Sequence, residues 1–135
     1  MNLKIKDFSK IIESNESIYK KIIAYKYRGT LYLDEELFIE SIYDFTQNIN
    51  LSNKVNKKKK YKRILYTPRE LGQSYFYRGY AFAKINNIKE AIKDFDKALK
   101  KTPYCIDYEF FKKLDGEAKD ILETQLKLLK LFTFK

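Results

Sequence analysis

Tyr75-Phe-Tyr-Arg-Gly79, followed by Glu90-Ala-Ile-Lys-Asp-Phe95, decides the fold. Fifty residues upstream the same pattern stands as Tyr25-Lys-Tyr-Arg-Gly29 and Glu40-Ser-Ile-Tyr-Asp-Phe45. Between 25–53 and 75–103, eight of 29 positions are identical. A unit that recurs in this way is how repeat architectures bury a core, each copy covering the apolar face of its neighbour. Chains built so are usually scaffolds and rarely catalysts.

The residues around each copy carry helical spacing. Leu3, Ile5, Phe8, Ile11 and Ile12 predict a lead helix over 3–13. Ser14 to Ser17 offer cap residues, and an apolar-periodic run follows from Ile18 to Leu33. Asp34-Glu35-Glu36 predict the acidic first turn of a next helix running to about Ile49, with Asn50-Leu-Ser-Asn53 as a loop. Thr67-Pro68-Arg69-Glu70 reads as N-cap, first-turn proline and capping-box acid of a helix reaching about Lys84. Asn87 and Glu90 repeat that logic for a helix over 88–101, which Pro103 stops. Beyond it, Asp115-Gly116 breaks the chain before a last amphipathic helix with Ile121, Leu122, Leu126, Leu129 and Phe132 on one side.

Small residues fall where two antiparallel helices must approach. Gly79 lies on the first helix, Ala91 and Ala98 lie seven apart on one face of the second, and Tyr75, Phe82 and Phe95 fill the remaining space. With Pro103 closing the unit, residues 72–105 resemble a tetratricopeptide (TPR) repeat, a helix-turn-helix of about 34 residues. Residues 22–55 resemble it less fully: Gly29, Tyr32, Ser41 and Phe45 fit, while Asn48 and Asn53 replace the alanine and the proline. The repeat offset of 50 exceeds the family's by sixteen, close to the length of a basic insert at about 52–66, so either the insert loops out or the helices are extended. The resemblance implies an all-α fold: a short TPR-like α-solenoid of two helical hairpins with N- and C-terminal capping helices. It implies a single TPR-like domain over 1–135. Arg28 and Arg78 stand where the family is usually apolar, and Asp44 and Asp94 precede the aromatic of each second helix. Their joint recurrence predicts Arg28–Asp44 and Arg78–Asp94 pairs bridging each hairpin; the alternative is independent solvent-facing charges.

Composition excludes several classes of function. The 135 residues contain no histidine and one cysteine, Cys105. A zinc site, a His-dependent triad and an intramolecular disulfide framework therefore lack their residues. There is no P-loop, and Asp94/Asp96 and Glu35/Glu36 read as helix-surface acids rather than a general acid–base pair. Cys105, just after the Pro103 turn, reads as a small core residue. The expectation is no enzyme and no cofactor. The charged N-terminus lacks the apolar run of a signal peptide, and no apolar stretch approaches the ~20 residues of a membrane span. The expected location is cytoplasmic.

Two surfaces are candidates for function. In the resembling family the first helix of each unit lines a concave binding face. That implies a groove of Lys26, Tyr27 and Thr30 with Ile23 and Leu33 in the first unit, and of Gln73, Phe76, Tyr77, Tyr80 and Lys84 in the second. Exposed aromatics there would anchor a partner protein or peptide, making the chain an adaptor. The same aromatics could instead pack under the chain's end helices. Only Lys26 matches the carboxylate-gripping set found in some family members, so chaperone-tail binding is not supported. The second surface is the run Lys54, Lys57, Lys58, Lys59, Lys60, Tyr61, Lys62 and Arg63, whose seven basic residues make up most of the net charge of +10. It could grip phosphates while Tyr61 stacks on a base, making the chain a nucleic-acid or ribonucleoprotein binder, or a small inhibitor of nucleic-acid machinery. Dense charge runs are also commonly solvated linkers. The Leu-rich last helix, Leu126 to Phe132, offers self-association.

Overall fold

The fold was obtained as a computed structural model that describes residues 2–57 and 67–133. All secondary structure among them is helical, and the chain divides into two compact units, Met1–Thr67 and Pro68–Lys135. The division falls at the Thr67-Pro68 helix start that follows the basic insert.

The first unit holds α1 (Asn2–Glu13), α2 (Ile18–Asp34) and α3 (Phe38–Asn56). Ser17 caps α2 by accepting from the Lys20 N–H. Helices α2 and α3 form a hairpin, and α1 packs on α2 as its cap. Gly29 sits at the crossing: a Cβ there would lie 3.0 Å from the Phe45 ring, so glycine lets the fully buried Phe45 reach the α2 backbone.

Two boundaries differ from those predicted. Asp34 closes α2, Glu35 and Glu36 form the turn, and α3 begins only at Phe38. Glu36 takes a left-handed φ of 59°, while the Leu37 N–H bonds back to the Tyr32 carbonyl, so this segment terminates one helix instead of starting the next. At the other end α3 runs through Asn50–Asn53 to Asn56. Asn48, Ile49, Ser52 and Val55 are buried at helical spacing, and the Ser52 hydroxyl donates to the Asn48 carbonyl. With asparagine at 53, nothing in the backbone stops the helix. Part of the long repeat offset is thus helix extension.

The second unit holds α4 (Pro68–Lys84), α5 (Ile88–Lys101), a 3₁₀ turn at Pro103–Cys105, α6 (Tyr108–Phe111) and α7 (Gly116–Thr133). The α4/α5 turn repeats the first geometry: Asn86 takes φ 65°, and the Asn87 N–H bonds to the Phe82 carbonyl. Here the turn chemistry agrees with the sequence, because asparagine tolerates the left-handed region and the Asn87 side chain accepts from the Glu90 N–H. Gly79 again marks the crossing, where a Cβ would lie 2.8 Å from Phe95. The 3₁₀ turn puts Cys105 against Gly72, with its thiol donating to the Ala98 carbonyl. Gly116, at φ 70°, turns the chain into α7, which buries Ala118, Leu122 and Leu126 at i, i+4 and i+8 and packs on α5.

Candidate partner-binding face

Each hairpin is pinned by one ion pair. Arg28 donates from Nε to Asp44 Oδ2 at 2.8 Å and from Nη2 to Asp44 Oδ1 at 2.7 Å. Arg78 makes the same fork with Asp94 at 2.8 and 2.8 Å. The paired bridge expected from the sequence is therefore formed in both units. Each guanidinium lies over aromatic rings three residues before and four after it: Tyr25 and Tyr32 around Arg28, Tyr75 and Phe82 around Arg78. The Asp44 side chain is fully buried and that of Asp94 nearly so. Burial pushes both carboxyls above the ordinary carboxylate range, against the pull of the arginine hydrogen bonds and charge. Replacing such a buried pair by apolar groups is often neutral, whereas removing one partner alone is strongly destabilising.

Tyr27 and Tyr77 each stand one residue before the forked arginine, so the α2 and α4 faces correspond residue by residue. In the second unit the groove is closed by the chain itself. Tyr77 donates its hydroxyl to Asp107 Oδ2 at 2.8 Å, and Phe110 stands edge-on to Tyr77 at 5.6 Å and to Tyr80 at 4.9 Å. Lys84 donates to the Lys113 carbonyl at 3.0 Å. Phe76 and Tyr80 are buried, while Gln73 and Tyr77 are half-buried. The open aromatic face expected over Gln73, Phe76, Tyr77, Tyr80 and Lys84 is thus corrected: the segment from Asp107 to Lys113 occupies it. Asp107 and Phe110 were not singled out in the sequence. Their signal was a helix-capping aspartate three residues before an aromatic, placed after a unit whose outer face needed a cover.

In the first unit the equivalent face is partly open, with α1 lying against one side of it. Ile23 is 49% exposed and Tyr27 54%, with Lys26 and Thr30 half-buried beside them and Leu33 in the core. Phe8 of α1 stacks on Tyr27 at 5.5 Å with ring planes 17° apart. Next to that stack is a cavity of about 480 Å³ lined by Lys4, Asp7, Phe8, Tyr27, Thr30 and Leu31. The α3 side of this hairpin also exposes Ile39 and Tyr43, where the second has Lys89 and Lys93.

Of the basic run, Lys54 and Lys57 are exposed at the end of α3, and Lys58 to Arg63, with Tyr61, lie outside the described residues. Cys105 is buried, and burial pushes its thiol up to about 11, so it carries no thiolate at neutral pH. Among the described residues no three His, Cys, Asp or Glu side chains gather in a metal-binding group. No described helix is long and apolar enough to cross a membrane.

A comparison with protein families matches residues 72–105 to the tetratricopeptide repeat. That span covers α4, α5 and the 3₁₀ turn, including Gly79, Ala91, Phe95, Ala98 and Pro103. Residues 72–105 are a tetratricopeptide repeat. TPR units are non-catalytic and generally mediate protein–protein interaction. The α2/α3 hairpin carries the same Gly–Phe contact, Arg–Asp fork and left-handed turn as the matched TPR unit. No curated protein and no solved structure matches the chain.

Proposed function

We propose that this chain is a non-catalytic adaptor that binds another protein through the α2 face of its first hairpin. The observation that carries the reading is the contrast between the two corresponding helix faces. Tyr77 and Tyr80 are engaged by the chain's own Asp107 and Phe110, whereas Ile23 and Tyr27 remain about half exposed. A large apolar residue and an aromatic one turn apart on a rigid helix are an anchor pair for a partner. The fork between Arg28 and Asp44 holds that helix in place, so docking requires little ordering of the receptor side.

The test is an affinity capture from the native cell with the full chain as bait. It is run beside an Ile23→Asp/Tyr27→Asp variant and a Tyr104→Asp control, Tyr104 being 72% exposed on the second unit. A partner retained by the wild type and the control and lost by the α2 variant supports the reading. A partner held equally by the α2 variant contradicts it. The charge of the 54–63 run supports a second reading, nucleic-acid binding. A gel shift with RNA and DNA at two salt concentrations separates the two, since phosphate-driven binding weakens steeply with salt.

A further inference from the structure

The second unit displays the ligand that its own α4 face accepts. The occupant is one short helical turn, capped by Asp107, whose carboxylate takes the Tyr77 hydroxyl and whose Phe110 ring lies against Tyr77 and Tyr80. The first unit presents the same face on the same side of its hairpin, since Tyr27 and Tyr77 both stand one residue before the forked arginine. Tyr27 is exposed, and its hydroxyl has no partner among the described residues. At the position of Tyr80 the first unit has Thr30, a shorter side chain that borders the 480 Å³ cavity instead of filling it.

We infer that the α2 face accepts a short helical segment of a partner protein that carries a carboxylate and, three residues on, an aromatic ring. This rests on the proposed role of that face and names the chemistry of its partner. The ring enters the cavity between Phe8, Tyr27 and Leu31, and the carboxylate accepts from the Tyr27 hydroxyl. Lys4 among the lining residues favours that carboxylate, while Asp7, which also lines the cavity, disfavours a second one. The chemistry is that of residues 107–110; in the first unit α1 covers part of the face, with Phe8 on Tyr27, and the cavity beside that stack is what a partner's ring would fill.

A labelled peptide of residues 106–115 is therefore a ready probe. It is titrated by fluorescence anisotropy against the full chain and against Tyr27→Ala and Tyr104→Ala variants, Tyr104 being 72% exposed, each checked for helicity by circular dichroism. The expected result is saturable binding that Tyr27→Ala weakens about tenfold or more, that Tyr104→Ala leaves unchanged, and that Phe110→Ala in the peptide abolishes. No saturable binding, or binding that survives Tyr27→Ala, overturns the inference. A captured protein that depends on Ile23 and Tyr27 but is not displaced by the peptide also overturns it, while leaving the proposed binding face intact.

Discussion

The two hairpins are the same device built to different completeness. Both have a glycine under a phenylalanine, an arginine forked onto an aspartate sixteen residues later, and a left-handed residue in the turn. The second adds Asn86 and Asn87 in the turn, Ala98 in the second helix, Pro103 at its end and its own segment over the outer face. The first has Glu36, Leu37, Asn48 and Asn53 at those places, and its outer face, flanked by α1, leaves Ile23 and Tyr27 about half exposed. The difference teaches that the pinning contacts define the hairpin, while caps, stops and covers decide what each hairpin has left to offer a partner.

The largest break of that comparison comes from the shared fork. Asp94→Ala leaves the Arg78 guanidinium largely buried without its carboxylate and is expected to cost about 3–5 kcal/mol in urea unfolding. Arg78→Met with Asp94→Leu, which removes both charges, should cost far less than the single change. The next effect tests the missing stop. Asn53→Pro places a proline inside α3, between the buried Ser52 and Val55, and should cost about 3 kcal/mol with a measurable loss of helicity. If it is neutral, the helix extension beyond residue 49 is wrong.

A smaller contrast comes from the crossings. An added methyl at Gly79 meets Phe95 at 2.8 Å, closer than the 3.0 Å between Gly29 and Phe45. Gly79→Ala is expected to lose about 1–2 kcal/mol, overpacking outweighing the gain in helix propensity, and Gly29→Ala to lose less. The smallest effect runs the other way. Glu36→Gly removes a side chain from a left-handed backbone and should raise stability by about 1 kcal/mol, whereas Asn86→Gly gains less because asparagine tolerates that conformation.

Much of this was legible in the sequence. Helix starts at Ile18, Pro68 and Ile88 followed from the cap residues before them, and the recurrence of Arg and Asp at matching positions gave both forks. The α2/α3 turn was misread because Asp34-Glu35-Glu36 satisfies a local charge rule, while the backbone there is set by the hairpin closing. The end of α3 was misread because Asn50-Leu-Ser-Asn53 has loop composition, and only burial of Ser52 and Val55 keeps it helical. The candidate face was half legible. The family resemblance named the residues on one side of α2 and α4, but that Tyr77 is covered depends on Asp107 and Phe110 folding back, a contact thirty residues away in sequence.

The most direct test of the central claim is hydroxyl-radical footprinting of the chain alone and with the partner it captures. The account predicts that Tyr27 is oxidised readily in the free chain while Tyr80 is protected, and that the partner protects Tyr27 without changing Tyr104. Oxidation of Tyr27 at the same rate with and without the partner would contradict it.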